Sequence, residues 1–396
     1  MEVLYSREVY DSKMSMLINE KNFEKYNAVI LSLYLFQYSF LIPLMEHIQP
    51  SVIVGVFSSL LMVISLVLNF GKIKIQKNMS LIFFLVLFIF ILKAFLDGSE
   101  ISIIFYYLAF AIPAFLFLSC DIEYSVFFRC ANILAMVSFA VIFGIPLLGR
   151  YEYMRFGYGM STIVVFMIAR LFLYDKTWSY GEIVESFLAI IGFVELALFG
   201  ARGSILPVLF FCCGLLIFKI RNSLKCYVYA ILGSTIIGYI SFHLQEIIIE
   251  VVEFFNFHGF STYSLSKFLM YAKYGFERAS SGRTDIYYVA WEKFLSSPFL
   301  GNPMLSGEDG TYVHNLFLQF IVDFGVIGIF ACLFIFSATF KEFIESDSRF
   351  LRVFLLSIFS LAFGRLLFSS SYLLRPEFWV WIFFICSDKL GRCEIE

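Results

Sequence analysis

The sequence predicts an all-helical, polytopic membrane protein with about twelve transmembrane helices, and three observations support this fold class. Of the 396 residues, 60% are hydrophobic and only 15% are charged, and the mean hydropathy is +0.85. A soluble domain of this length carries far more charged surface. The apolar residues also fall in runs of about 17 to 22, the length that crosses a hydrocarbon core as a helix. The third observation is that Lys and Arg are unevenly distributed among the loops.

The apolar runs define the twelve predicted spans, whose approximate bounds are 28–46, 51–70, 80–96, 101–119, 125–148, 157–174, 183–199, 204–219, 226–246, 314–337, 350–364 and 373–387. The last two are short, and the turn between them is a candidate re-entrant segment. The predicted organisation is a cytoplasmic N-terminal segment (1–27), spans one to nine (28–246), a large non-cytoplasmic loop with short helices (247–313), spans ten to twelve (314–387) and a cytoplasmic tail (388–396).

The orientation follows from the Lys and Arg content of the connecting segments. With the N-terminus in the cytoplasm, fifteen of these residues fall in inner segments: Arg7, Lys13, Lys21, Lys25, Lys72, Lys74, Lys77, Lys176, Lys219, Arg221, Lys225, Lys341, Arg349, Lys389 and Arg392. The short outer loops hold only four, which are Arg150, Arg155, Arg202 and Arg365. By parity, the large loop then lies outside the cytoplasm.

Composition and cysteine spacing argue against several classes of partner and cofactor. The formal net charge of −2 argues against nucleic acid. The eight cysteines lie in or beside apolar runs, and no CxxC or Cys/His spacing indicates a metal site. We therefore expect no metal and no other cofactor.

Part of the large loop is predicted to be helical, in the stretch SSGRTDIYYVAWEKFLSSPFLG. Its apolar residues recur at helical spacing, Ser281 and Thr284 are candidate N-caps, and Pro298 and Gly301 are stop signals. A loop of this length without a function is uncommon. The alternative is an aromatic-rich helix that lies on the membrane surface.

Four arginines lie in or beside outer segments, against the charge trend: Arg155, Arg202, Arg283 and Arg365. For any one of them, an exposed loop residue is the simpler interpretation. Arg202 has the stronger case because it lies in a short outer turn between two spans, where Gly200 and Gly203 let the backbone approach a ligand closely. An arginine at that depth usually marks a functional site, and its planar guanidinium suits phosphate oxygens.

His314 is the candidate general base, because it begins span ten directly after the polar loop. An imidazole with a pKa of about 6.5 can accept a proton from a hydroxyl at neutral pH. The alternative is a histidine that anchors a helix end. Asn315 is a candidate for orienting the ring or a substrate, with an N-cap as the alternative. Glu195, near the end of span seven, is a candidate partner for the arginines or a proton carrier.

Arginines and a histidine on the outer side, without acidic metal ligands, favour an anionic, pyrophosphate-bearing lipid substrate. A cation transporter would instead carry carboxylates at the midplane of the membrane. A flippase would not need the large outer loop. Asp323 lies about 13 Å below His314 on an ideal helix, which is too far for direct contact. It is therefore expected to pair inside the helix bundle.

Three stretches, in this order, resemble the O-antigen polymerase and O-antigen ligase superfamily of bacterial envelope glycosyltransferases. They are GARGSILPVL after a span, SSGRTDIYYVAWEKFLSSPFLGNPM in the loop, and HNLFLQFIVDFGVIG at the start of the next span. The similarity covers about Arg155 to Gly328. Each stretch alone is degenerate, and their order and spacing carry the resemblance. It implies a GT-C-like fold in the bacterial inner membrane, with the large loop and the active site on the periplasmic side.

The resemblance also implies roles for individual residues. Arg202 and Arg283 would bind the departing pyrophosphate of an undecaprenyl-pyrophosphate-linked glycan, and His314 would activate the acceptor hydroxyl. The transfer is then expected to invert the anomeric carbon without a metal ion. Further candidate substrate-binding residues are Arg155, Arg365, Asn315 and Glu195.

The stretch GNPMLSGEDGTYVHN is short for this part of the loop. A compact loop favours a polymerase of O-antigen or capsule repeat units over a ligase that moves the polymer to lipid A-core. The expected partners are the lipid-linked oligosaccharide and the bilayer, and a chain-length regulator protein is a further candidate. Hypotheses from other classes are a transporter of lipid-linked oligosaccharide and a structural envelope scaffold.

Overall fold

The computed structural model describes residues 22–46, 48–148, 151–173, 180–220, 249–259, 283–304, 312–346 and 348–387. Within these residues the regular structure is entirely helical, which confirms the all-helical class. The helices are α1 (22–40), α2 (Pro50–Leu68), α3 (Lys77–Leu96), α4 (Ser102–Leu118), α5 (Tyr124–Ile142), α6 (Tyr153–Leu173), α7 (Tyr180–Phe199), α8 (Leu206–Ile220), α9 (249–257), α10 (Arg283–Ser296), α11 (Leu316–Phe324), α12 (Val326–Glu345), α13 (Arg349–Leu366) and α14 (Pro376–Ile385). Short 3-10 helices cover Leu44–Glu46, Ile145–Leu148, Arg202–Ile205 and Tyr372–Leu374.

Several helices match the length of a membrane span. Among the described residues, four segments are long and apolar enough to cross a membrane: Lys77–Leu96, Tyr124–Leu147, Tyr153–Leu173 and Val326–Glu345. Shorter apolar helices include Ser102–Leu118 and Pro376–Ile385. This architecture is compatible with a helical membrane protein, because a helix satisfies its own backbone polar groups in hydrocarbon. The predicted span 226–246 lies outside the described residues, and the total of twelve spans stays a prediction.

Burial separates central helices from peripheral ones. In α6, 78% of the residues in an apolar stretch of 18 are buried, whereas the shares in the corresponding stretches of α3 and α12 are 22% and 17%. Helices α13 and α14 are also buried along most of their length. The outer faces of α3 and α12 expose large apolar side chains such as Phe88 and Phe330. Exposed apolar faces around a buried centre are what a lipid environment permits.

Buried hydroxyl and indole groups connect the central helices through hydrogen bonds. The Tyr34 hydroxyl donates to the Phe110 carbonyl (2.7 Å), and the Tyr107 hydroxyl donates to the Phe83 carbonyl (2.8 Å). The Trp381 indole N–H donates to the Thr339 hydroxyl (2.9 Å). Aromatic side chains bury a large apolar body and need a partner only for their polar atom. These bonds therefore join α1 and α3 to α4, and α12 to α14.

The predicted spans 28–46 and 314–337 are not continuous helices. The predicted span 28–46 is helical only to residue 40, followed by a turn and the 3-10 helix Leu44–Glu46. The predicted span 314–337 is divided into α11 and α12 at Gly325, whose φ is +62°. A left-handed backbone ends the α-helical hydrogen-bond pattern, and glycine adopts it without steric cost. Hydropathy does not detect this break because both sides of it are apolar.

The loop helix α10 begins at Arg283 and ends at Ser296, ahead of the predicted stop at Pro298. Thr284 is the second residue of the helix, so the prediction of an N-cap there is wrong, and Ser281 lies outside the described residues. One face of α10 packs on α11, where Ala290 contacts an apolar cluster. Its other face exposes apolar side chains such as Trp291 and Leu295, as expected for a helix on a membrane surface.

A glycine fixes the position of α10 against α11. Gly301 follows α10 with a φ of +76°, and a side chain at this position would overlap the backbone of Asp323 in α11. The Asn302 backbone N–H donates to the Val322 carbonyl (2.7 Å) at the same contact. The close backbone approach therefore places the loop helix directly above α11.

Gly301→Ala should lower the free energy of unfolding by about 2–4 kcal/mol, through left-handed strain plus overlap with Asp323. The measurement is thermal unfolding of the purified protein in detergent. Gly98→Ala is the matched control, because Gly98 has nearly the same φ of +75° but no neighbouring atom within 4 Å. It should cost only about 1 kcal/mol from the backbone. Equal losses in the two variants would contradict the close approach.

Candidate functional site

The turn that carries Arg202 is held tightly against α6 and the loop after α13. Gly203 faces the Tyr158 hydroxyl and the Phe368 side chain, and a Cβ at this position would lie 2.8 and 3.1 Å from them. A Cβ on Gly157 would likewise lie 2.9 Å from the Ala201 backbone nitrogen. The expectation that the glycines leave room for a ligand is wrong at Gly203, since its missing side chain makes room for Tyr158 and Phe368. The Arg202 side chain lies outside the described part of the structure.

Arg283 lies at the same end of the bundle as this turn. Its guanidinium is 5.8 Å from the centre of the Phe368 ring, the side chain that also contacts Gly203. Arg283, the first residue of α10, and Gly203, next to Arg202, therefore both lie against Phe368. The prediction that the side chains of Arg202 and Arg283 meet stays a prediction.

Arg365 and Arg375 extend this arginine group into the protein. The Arg365 guanidinium lies 4.4 Å from the Tyr158 ring centre and 5.4 Å from that of Tyr38. Arg375 lies 4.9 Å from the Tyr38 ring centre. Guanidinium groups at these distances are attracted by the aromatic faces. Arg365, Arg283 and Arg375 all act electrostatically on the Tyr158 hydroxyl. We call Arg283, Arg365 and Arg375, with Tyr38 and Tyr158, the arginine cluster.

The arginine cluster has unsatisfied donors and excess positive charge. Arg365 is 8% exposed, and neither its Nε nor Nη1 of Arg375 has a hydrogen-bond partner among the described residues. Glu377 is the carboxylate that acts on Arg365, and one of its own oxygens is also buried without a described partner. Among the described residues, one carboxylate does not neutralise three guanidinium groups. Buried charge without compensation is costly, so the cluster is suited to an anion.

His314 lies next to the arginine cluster, immediately before α11. Its φ is +57°, a left-handed conformation that non-glycine residues adopt mainly where the surroundings require it. Its ring centre is 4.2 Å from that of Tyr312, and its Nδ1 is buried without a described hydrogen-bond partner. Burial lowers the pKa of His314, and the positive charge of Arg283 lowers it further. The imidazole is therefore neutral at neutral pH and able to accept a proton.

Asn315 has a structural role in this arrangement. Its side-chain oxygen accepts hydrogen bonds from the backbone N–H groups of Phe317 (3.0 Å) and Leu318 (3.2 Å), which makes it the N-cap of α11. The capping interpretation fits this geometry, because the oxygen satisfies two donors at the helix start. Asn315 thereby fixes the backbone next to His314.

Arg155 and Glu195 have partners outside the arginine cluster. Arg155 donates to the Met45 carbonyl (2.8 Å) and forms an ion pair with Glu152 (3.2 Å). Glu195 accepts a hydrogen bond from the Gly144 backbone N–H (2.8 Å), so its described hydrogen bond does not join it to Arg283. Of the seven residues predicted from sequence, the structure therefore brings together Arg283, Arg365 and His314, with the backbone of the Arg202 turn beside them.

Arg375, Tyr38 and Tyr158 belong to the site but were not predicted from the sequence. Arg375 falls inside the predicted span 373–387, but it immediately precedes Pro376, the first residue of α14, and so lies at a helix start. An arginine before a proline near the start of a predicted span is a signal that a search for outer arginines can include. The tyrosines carry no such signal, because apolar helices of this chain contain many aromatic residues.

Cysteine, histidine and acidic side chains do not form a metal-binding set in the described ranges. No group of three or more His, Cys, Asp or Glu residues is placed together there.

No protein-family model matches the sequence, and no match is found among curated proteins.

Arg283→Gln should raise the pKa of His314 toward its ordinary value, because a nearby cation disfavours the protonated imidazole. The measurement is an NMR titration of protein labelled with ¹³C-histidine, with the signal assigned by His314→Gln. Arg155→Gln is the matched control, since Arg155 is paired with Glu152. An unchanged pKa in Arg283→Gln, or an equal rise in the control, would contradict the proximity of Arg283 to His314.

Proposed function

We propose that this protein is a glycosyltransferase that uses a lipid-pyrophosphate-linked glycan as donor and a sugar hydroxyl of a lipid-linked repeat unit as acceptor. The observation that carries the proposal is the arginine cluster, in which the buried Arg365 and the half-buried Arg375 have guanidinium donors without a described partner, beside a neutral histidine. A diphosphate supplies the negative charge and the acceptor oxygens that this cluster lacks. The resemblance to the O-antigen polymerase and ligase superfamily agrees with this chemistry.

The proposed reaction is one displacement at the anomeric carbon of the donor. The acceptor oxygen forms a bond to this carbon, and its proton moves to His314. The bond from the anomeric carbon to the pyrophosphate oxygen breaks, and the lipid diphosphate leaves with the electron pair. The guanidinium groups stabilise the charge that develops on the leaving group. Attack opposite to the leaving group inverts the anomeric carbon.

The position of the cluster in the bundle supports a membrane-bound substrate. Tyr158 lies near the start of α6 and Arg365 near the end of α13. Arg170 and Arg349, near the other ends of these two helices, belong to segments with the high Lys and Arg content expected of the cytoplasmic side. The cluster therefore lies toward the end with fewer basic residues. We infer an inner-membrane protein with its site on the periplasmic side.

We favour a polymerase over a ligase within this proposal. The chain between α10 and His314 is short, which leaves limited room above the site for a bulky lipid A-core acceptor. A repeat-unit polymerase needs to accommodate only two lipid-linked glycans of the same kind. A ligase of the finished polymer is the second candidate, because it would use the same donor and the same leaving group.

Purified protein in lipid nanodiscs, supplied with an undecaprenyl-pyrophosphate-linked single repeat, should extend the glycan and release undecaprenyl pyrophosphate. Chain length on a gel and released lipid report the two products separately. Growth that requires added lipid A-core would indicate the ligase. A wild-type protein that releases no undecaprenyl pyrophosphate under either condition would reject the enzyme and favour a transporter.

In the same assay, His314→Ala should lower turnover about 100-fold or more while leaving donor binding intact, because general base catalysis contributes such factors. His258→Ala is the matched control. His258 is exposed at the end of α9, where its ring Nδ1 lies 2.8 Å from the Phe254 carbonyl. Wild-type turnover in His314→Ala would remove the proposed base.

Arg365→Gln and Arg375→Gln should each weaken binding of inorganic pyrophosphate about tenfold, as expected for the loss of a charge-assisted hydrogen bond. Isothermal titration calorimetry measures the affinity, and thermal unfolding verifies that each variant is folded. Arg349→Gln is the matched control, because Arg349 stacks on Phe172 at the other end of the bundle. Folded variants that bind pyrophosphate as tightly as the wild type would contradict the assignment.

A further inference from the structure

A cavity of about 320 Å³ lies between α10 and α11. Its size is at the lower end of the range of small-molecule sites. Five polar or aromatic side chains line it: Asp285, Lys293, Tyr312, Gln319 and Asp323. The remaining lining is apolar. The apolar part of the lining belongs to the contact between α10 and α11, where Ala290 packs with Val313 and Val322.

The deeper polar groups are held in fixed orientations. The Gln319 amide N–H donates to Asp323 (2.8 Å), and the Gln319 side-chain oxygen accepts from the Val313 backbone N–H (2.8 Å). The Tyr372 hydroxyl donates to the other Asp323 oxygen (3.1 Å). Each carboxylate oxygen can accept a second hydrogen bond. The floor of the cavity is therefore a preorganised acceptor surface.

The cavity is next to the candidate base. Tyr312 lines the cavity, and its ring centre is 4.2 Å from that of His314. Asp285 lies two residues after Arg283 on α10, the arginine that acts on His314. A ligand in the cavity would thus have one end beside the imidazole.

The lining selects a chemical class of ligand. Carboxylates accept hydrogen bonds from hydroxyl groups, and the Lys293 ammonium donates to hydroxyl and ring oxygens. An aromatic face such as that of Tyr312 packs against apolar C–H groups. A sugar ring presents both kinds of surface. A diphosphate is less suited to this lining than to the arginine cluster, because the lining offers a single cation, Lys293, and sets Asp285 beside it.

We propose that this cavity binds the acceptor sugar and presents its hydroxyl group to His314. The proposal rests on the proposed function, which already places the leaving diphosphate in the arginine cluster. The acceptor oxygen then approaches His314 from the cavity, while the leaving group lies on the guanidinium side. Asp285 and Lys293 are the specificity-determining residues on α10.

The test separates donor cleavage from acceptor binding. The donor is the undecaprenyl-pyrophosphate-linked repeat. The acceptor is the same repeat released from its lipid by mild acid, which can accept a glycan but has no diphosphate and cannot donate one. Purified full-length protein in nanodiscs is assayed for released undecaprenyl pyrophosphate and for transfer at increasing acceptor concentration.

Asp285→Asn and Lys293→Met should raise the KM for the acceptor about tenfold each, the factor for one lost hydrogen bond to a charged group. The affinity for inorganic pyrophosphate should be unchanged in both. Both side chains are on exposed positions of α10, so the variants are expected to fold. Glu292→Gln is the matched control, since Glu292 is an exposed residue of α10 that does not line the cavity.

The two failures are distinguishable. A wild-type protein that releases no undecaprenyl pyrophosphate would overturn the proposed function. A wild-type protein that transfers glycan, together with a wild-type acceptor KM in both variants, would overturn the acceptor site alone. Loss of pyrophosphate affinity without a change in acceptor KM would also overturn it, because the cavity would then serve the donor.

Discussion

The arrangement of the site depends on one constraint, which is the presence of buried guanidinium groups in a bundle built from apolar helices. Arg365 lies between the rings of Tyr38 and Tyr158, and Arg375 lies against Tyr38. Aromatic faces attract these cations but do not neutralise them. Glu377 supplies one negative charge among the described residues, which leaves their combined charge at this end positive. In the proposed function, the diphosphate of the donor offsets the cost of this charge.

The helical framework brings distant parts of the sequence to this charge. Gly203 and Gly157 permit the turn between α7 and α8 to lie directly on α6. In the loop after α13, Ser370 has a φ of +75°, and Arg375 donates to its hydroxyl oxygen. The close contact of Gly301 with Asp323 sets α10 above α11 and so positions Arg283 near His314. Small residues at backbone contacts thus determine where the charged groups meet.

Hydropathy predicted most of the described helices, because a span must be apolar over its whole length. It could not predict the division of the helix at Gly325, since glycine ends a helix through its backbone and not through its polarity. The chemistry of arginine and histidine pointed to Arg283, Arg365 and His314, which the structure places together. The chemistry of the side chains alone did not distinguish Asn315, which is a helix cap, from residues whose polar atoms have no partner. That distinction depends on hydrogen-bond partners, which only coordinates supply. Arg375 was missed because it lies inside a predicted span.

In the proposed reaction, donor and acceptor carry the same glycan and the same lipid diphosphate, so shape alone distinguishes them poorly. Charge offers a sharper distinction. The arginine cluster offers several guanidinium groups to a diphosphate, whereas the cavity offers a single ammonium group, Lys293, beside Asp285 and Asp323. In the proposed reaction, the cluster therefore favours the diphosphate of the donor, and the cavity remains for hydroxyl groups of the acceptor. This difference in charge would distinguish the substrate that is cleaved from the substrate that is extended.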